Sequence, residues 1–204
     1  MDIFIGGGGD DLAWLGLGVM RAYADDYAAE TGRPTLYSPN ARVGALLRRL
    51  RATPSPEPLN LIGHSWGALD AYNLAAKAQR CGIAVDNLIT LDAVGGLIGR
   101  VTGPIQAAHW LNVATAPESL DGSDRLTQLP PWSRKPSRLP TAHADADANL
   151  DLHHWDVGGM MRPSQARRRL DDSWANGLWQ APFPRDEPWS GARLSSPSKA
   201  DSVA

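Results

Sequence analysis

The run Gly63-His64-Ser65-Trp66-Gly67 sets a serine between two glycines, with an apolar stretch before it and an alanine-rich stretch after it. A serine hydroxyl is a weak nucleophile until a neighbouring base takes its proton. This spacing suits a sharp strand-to-helix turn, in which Ser65 is held in a strained conformation and the flanking glycines avoid a clash. The following helix would aim its positive N-terminal end at the point where an oxyanion develops. Taken bare, the pattern also occurs in glycine-rich turns with an exposed serine. The strand before it and the helix after it are what give it weight.

Such a serine needs a base and an orienting acid further along the chain. Asp92 ends the next apolar run, Asn87-Leu-Ile-Thr-Leu91, one helix and one strand beyond Ser65, so it projects from the same sheet edge. A simple helix cap is its plain alternative, and Asp121 and Asp124 are the rival acids. Five histidines compete for the base. His64 lies inside the turn and reads as structural. His109 opens a strand at the wrong end of the sheet, and His143 sits in a proline-rich stretch. His153 and His154 follow the strand-like 148–152. His154 is favoured because Val157, three positions on, suits a helix turning back into the core.

An oxyanion needs a second donor beside the amide of Trp66. The run Gly6-Gly7-Gly8-Gly9 follows the first strand, where backbone N–H groups can approach a ligand closely, so Gly7 and Gly8 are assigned to that loop. A phosphate loop is the competing reading. No G-x-x-x-x-G-K-[ST] is present, and Asp10 and Asp11 would repel phosphate. The segment 95–108 carries Leu97 and Ile98, candidates for a flap over an acyl pocket, with a plain connecting helix as the equal alternative. Asp145, Asp147, Asp151 and His143 could suggest a metal, but alternating Ala-Asp is more often a solvated loop, so no metal or other cofactor is expected. Arg167, Arg168 and Arg169 beside Asp171 and Asp172 read as intrahelical pairs. Trp132, Trp155, Trp174, Trp179 and Trp189 could line a pocket, though packing down the last helix and tail is their default role.

Positioning these groups requires an alternation of strands and helices, and the chain shows one. Strands are expected at 2–5, 34–37, 59–62, 87–91 and 110–114, with helices from Asp10 or Asp11 to Gly32, over 41–51 and over 68–80. Residues 117–150 read as a long irregular excursion, and Pro163 starts a final helix to about Asn176. The last 25 residues, 180–204, read as a disordered tail, leaving 1–179 as one catalytic domain. The 204 residues can bury a real core unaided. A net charge of −2 argues against a nucleic-acid binder, and the single Cys81 excludes disulfides and cysteine zinc sites. No window approaches the about 18 apolar residues of a membrane span, and the N-terminus lacks a signal peptide, so a cytoplasmic protein is expected.

On Gly63 to Gly67, Leu91-Asp92-Ala93 and the late His154, the chain resembles the α/β-hydrolase superfamily, in its lipase-like and esterase-like branch. It is also similar to small hydrolases of bacteria and their phages. The resemblance implies an open, mostly parallel five-stranded sheet of order 2-1-3-4-5, truncated to begin at the family's third strand. An acid one strand after the serine looks like the arrangement of pancreatic-type lipases. Most members carry it one strand later, which keeps Asp121 and Asp124 in play. The implied activity is hydrolysis of a small-molecule or lipid carboxylic ester by Ser65, Asp92 and His154. A thioesterase, amidase or acyltransferase would use the same groups. A noncatalytic binding module and a flavodoxin-like nucleotide binder are the rivals from other classes.

Overall fold

The computed structural model describes residues 1–11, 17–53, 58–95, 105, 107–129, 139–162 and 166–175. Six strands form one sheet: β1 (Asp2–Ile5), β2 (Thr35–Ser38), β3 (Asn60–His64), β4 (Asn87–Leu91), β5 (His109–Thr115) and β6 (Ala146–Leu150). Their order is β2-β1-β3-β4-β5-β6, and every neighbouring pair is parallel. Among the described residues the helices are α1 (Val19–Thr31), α2 (Val43–Ala52), α3 (Trp66–Arg80), α4 (Gly122–Leu126), α5 (Val157–Met161) and α6 (Ala166–Ala175).

A parallel sheet hides both faces, so its strands are apolar throughout and alternate residues serve different cores. Ile3, Ile5, Leu61, Leu88 and Trp110 pack with α2 and α3 on one side. Phe4, Ile62, Ile89, Leu91, Leu111 and Val113 pack with α1, α5 and α6 on the other. One buried carboxylate anchors the N-terminal strand: Asp2 accepts from Tyr27 Oη at 2.6 Å, Asn60 Nδ2 at 2.6 Å and Trp174 Nε1 at 3.0 Å. Burial and that neighbouring carboxylate push the Tyr27 phenol up. Trp174 thus does fasten the last helix to the sheet.

The chain reverses direction across the sheet between β1 and β3, and in open parallel sheets ligands bind beyond the carboxyl ends of the strands flanking that point. Gly6 and Ser65 follow those two ends.

Three expectations are corrected. The sheet has six strands rather than five, and residues 117–150 are not one irregular excursion. They hold α4, a 3₁₀ turn (Thr141–His143) and β6. The strand Ala146-Asp-Ala-Asn-Leu150 carries apolar groups mainly at its ends, both buried, so it lacks the apolar run that marks the inner strands. Its pairing is reinforced by polar links: Asp145 Oδ2 accepts from the Trp110 amide at 2.6 Å, and Asp147 Oδ1 from Asn112 Nδ2 at 2.8 Å. The first helix begins at Val19 rather than near Asp10, yet Asp10 still caps it, accepting from the Met20 and Arg21 amides at 3.1 and 3.2 Å. Burial outweighs these bonds and raises the pKa of Asp10. The tail 180–204, the end of the 1–179 domain and Pro163 lie outside the described residues. Among the described residues no helix is long and apolar enough to cross a membrane.

Candidate active site

Ser65 stands between β3 and α3 with φ 57° and ψ −124°, a left-handed conformation rare for a side chain with a Cβ. The turn is tight enough to dictate both flanking glycines. A Cβ on Gly63 would lie 2.2 Å from the Gly67 carbonyl oxygen, and one on Gly67 would lie 2.2 Å from that of Ile5. Two bonds from the main chain fix the serine further. Its amide donates to Leu91 O at 3.0 Å, and its carbonyl accepts from the Val94 amide at 3.3 Å.

Asp92 directly follows β4 at φ 37°, a second strained non-glycine residue. Its Oδ1 accepts from the Thr115 amide at 3.0 Å, and its Oδ2 lies 2.6 Å from His154 Nδ1. The other ring nitrogen, His154 Nε2, is 3.1 Å from Ser65 Oγ. All three residues are buried. A carboxylate on Nδ1 fixes the proton there, leaving Nε2 with a lone pair toward the hydroxyl. The structure therefore brings Ser65, Asp92 and His154 into one hydrogen-bonded line.

The rivals fall elsewhere. Asp121 is the N-cap of α4, and Asp124 completes its capping box. Neither reaches the His154 ring. His153 Nδ1 pairs with Asp124 at 2.7 Å and lies 3.6 Å from Asp121. That bond to Asp124 raises the His153 pKa, and the surrounding acids add to it. Asp121 is lowered to about 2, first by its hydrogen bond from Ser123. These three residues are close enough to share a cation. Asp145 and Asp147 instead brace β5, and burial lowers the pKa of His109 at the start of that strand, away from Ser65.

The glycine loop lies against the serine. A Cβ on Gly7 would sit 2.7 Å from Ser65 Cβ, and one on Gly8 would meet the Trp66 ring at 2.5 Å. Trp66 is the first residue of α3, so its amide is among the donors that have no partner within the helix. A cavity of about 360 Å³ opens over Ser65 and His154, walled by Leu17, Trp66, Val94, Leu126 and Trp155. Trp155 is thus a wall residue, which the sequence had placed by default in packing. Leu97 and Ile98 lie outside the described residues, as do Trp132, Trp179 and Trp189. Sequence reasoning also missed Asp124 and His64 as partners of His154; neither signals its contact locally.

A protein of Xanthomonas campestris pv. campestris, assigned to the alpha/beta hydrolase superfamily, aligns with a TM-score of 0.51. The alignment covers 84% of this chain and 98% of that one at 16% identity. The chain has an α/β-hydrolase fold. The NocB thioesterase domain of the nocardicin cluster aligns with a TM-score of 0.47 and 15% identity, over 83% of this chain and 93% of that one. The Thioesterase domain family model matches residues 19–95, a stretch of the hydrolase fold that includes Ser65 and Asp92 and ends before His154. No curated protein matches.

Proposed function

We propose that this protein is a serine hydrolase of small apolar acyl esters. The observation that carries the reading is the line Asp92–His154–Ser65, at 2.6 and 3.1 Å, opening on an apolar cavity. Ser65 Oγ attacks the acyl carbon while His154 Nε2 takes its proton, and Asp92 stabilises the resulting imidazolium. The amide of Trp66 and an amide of the Gly7–Gly8 loop beside Ser65 would hold the oxyanion. The imidazolium then protonates the leaving alkoxide, and an acyl-Ser65 ester remains. Water, deprotonated by His154, attacks that ester, and the carboxylic acid departs as Ser65 regains its proton. The cavity is of a size that holds a small acyl group, and its walls offer that group apolar contact rather than charge.

Thioester hydrolysis is the second reading, favoured by the family-model match. It uses the same groups with a thiolate leaving. Fluorophosphonate labelling tests the shared mechanism, and paired p-nitrophenyl and N-acetylcysteamine esters of one acyl chain separate the two readings. Wild type should label, and Ser65→Ala should lose label and at least about 10⁴-fold in kcat. Failure of folded wild type to label or turn over would favour a binding module instead.

A further inference from the structure

The loop 151–156, which carries His154, belongs to no helix or strand, so no ladder of main-chain bonds fixes it. Yet both main-chain groups of His154 are held, each by a different side chain. Its amide donates to Asp124 Oδ1 at 3.1 Å, and its carbonyl oxygen lies 2.8 Å from His64 Nε2. Because a carbonyl can only accept, His64 must carry its proton on Nε2. The two rings also lie against each other, with centroids 4.7 Å apart. Both holding groups are almost completely buried, with Asp124 1% and His64 2% exposed. Water therefore cannot readily replace either bond.

Each contact ties the base to a different reference. His64 is the last residue of β3 and precedes Ser65 in the chain, so its ring refers the base to the strand that delivers the nucleophile. Asp124 lies in α4, two positions before the cavity-wall residue Leu126. Its other oxygen accepts from the Asp121 amide at 3.1 Å and pairs with His153 at 2.7 Å, so this carboxylate is itself firmly seated. Asp92 orients the ring of His154 about its own bonds. It does not determine where the main chain bearing that ring sits.

We infer that Asp124 and His64 are positioning residues that grip the main chain of His154, one at its amide and one at its carbonyl, and so set the reach of Nε2 to Ser65. This rests on the reading of Ser65 and His154 as nucleophile and base. A displacement of about 1 Å between reacting groups can cost about 10²-fold in rate, whereas apolar contact with the cavity walls outside this loop, Leu17, Trp66 and Val94, is little altered. Loss of the grip therefore acts on kcat and leaves KM alone.

The test is steady-state kinetics on an ester that wild type hydrolyses, with each variant shown by circular dichroism and a cooperative melt to be folded. Asp124→Ala and His64→Leu should each lower kcat by about 10- to 100-fold with KM within about twofold. Asp124→Asn and His64→Gln, which keep an acceptor and a donor for the same main-chain groups, should recover most of that loss. Folded Asp124→Ala and His64→Leu that melt earlier but keep wild-type kcat would overturn the inference, since a merely structural role predicts that result. Should a truncation not fold, the near-isosteric Asp124→Leu or His64→Phe, which also lacks the bonding group, decides in its place. A kcat below half of wild type at unchanged KM supports the grip, and a wild-type kcat overturns it. A wild type that neither turns over nor labels removes the hydrolase reading itself, an outcome distinct from active wild type with equally active variants.

Discussion

The nucleophile and its base come from two parts of the sheet built by different forces. On the side of Ser65, β1 and β3 are apolar on both faces, and close backbone packing at Gly63 and Gly67 leaves the turn one shape. On the side of His154, β5 and β6 are joined by a polar ladder, and the loop after β6 hangs from side chains bonded to its main chain. Thr90 Oγ1 bonds Asn112 Oδ1 at 2.7 Å, and Asn112 Nδ2 bonds Asp147 Oδ1 at 2.8 Å, across three strands in register. Packing fixes the first half by excluded volume, which is unforgiving. Hydrogen bonds fix the second half by direction, and each contributes only about 0.5–1.5 kcal/mol net.

The largest effect should therefore come from one methyl group on the packed side. In Gly67→Ala the new Cβ would meet backbone oxygens of both Ile5 and Gly6, at 2.2 and 2.5 Å, and neither can move without β1. A loss of about 3 kcal/mol or more is expected, together with loss of fluorophosphonate labelling. The same change at Gly122 in α4 meets nothing within 4 Å and should be neutral, or stabilising by up to about 1 kcal/mol. Chemical denaturation of the pair decides it. Equal effects at the two glycines would erase the distinction between the halves.

A smaller effect is expected from the polar side. Asn112→Ala removes both links of the ladder and strands Asp147 Oδ1 and Thr90 Oγ1, although the latter keeps its bond from Trp110 Nε1 at 3.1 Å. A loss of about 1–3 kcal/mol in a urea melt is expected, with the six-strand pairing intact. A loss approaching that of Gly67→Ala would show that the ladder carries more than direction.

The same contrast explains what could be read from the sequence. The strand at 87–91, the helix through Arg80 and the serine turn were legible because apolar spacing and glycine placement are local signals. So was Asp92, which lies at the end of a legible strand. The strand Ala146–Leu150 was legible only in part, as the strand-like 148–152, because exposed Asp147 and Asn149 interrupt the apolar pattern between its buried ends. Asp10 or Asp11 was read as the start of the first helix, but that helix starts at Val19 and Asp10 caps it from nine residues before. Asp124 was legible only as a rival acid. Its partner is a main-chain amide 30 positions away, and nothing in the residue types at either end announces that bond. His64 read as structural, and its contact to His154 across 90 positions was equally silent.

The smallest effect, and the most specific to the polar side, concerns pH. His153 has its pKa raised above the ordinary 6.5, chiefly by its bond to Asp124. A group whose folded pKa is raised stabilises the fold fully below its unfolded value, and that contribution is lost as pH rises through the folded one. Asp121 works in the opposite direction, since its pKa is lowered from 3.8 to about 2 and its contribution is lost only under strong acid. Between about pH 4.5 and 6.5 both contributions are present. Wild type should then melt above His153→Gln across that window, and the gap should close as pH climbs beyond 6.5. His153 is partly exposed, so the gap should be small and should shrink with added salt. Scanning calorimetry of both proteins from pH 5 to about 9 reads it directly. A gap that stays constant across that range would mean that His153 holds Asp124 through packing and a neutral hydrogen bond, making the two halves of the site less different in kind than their contacts imply.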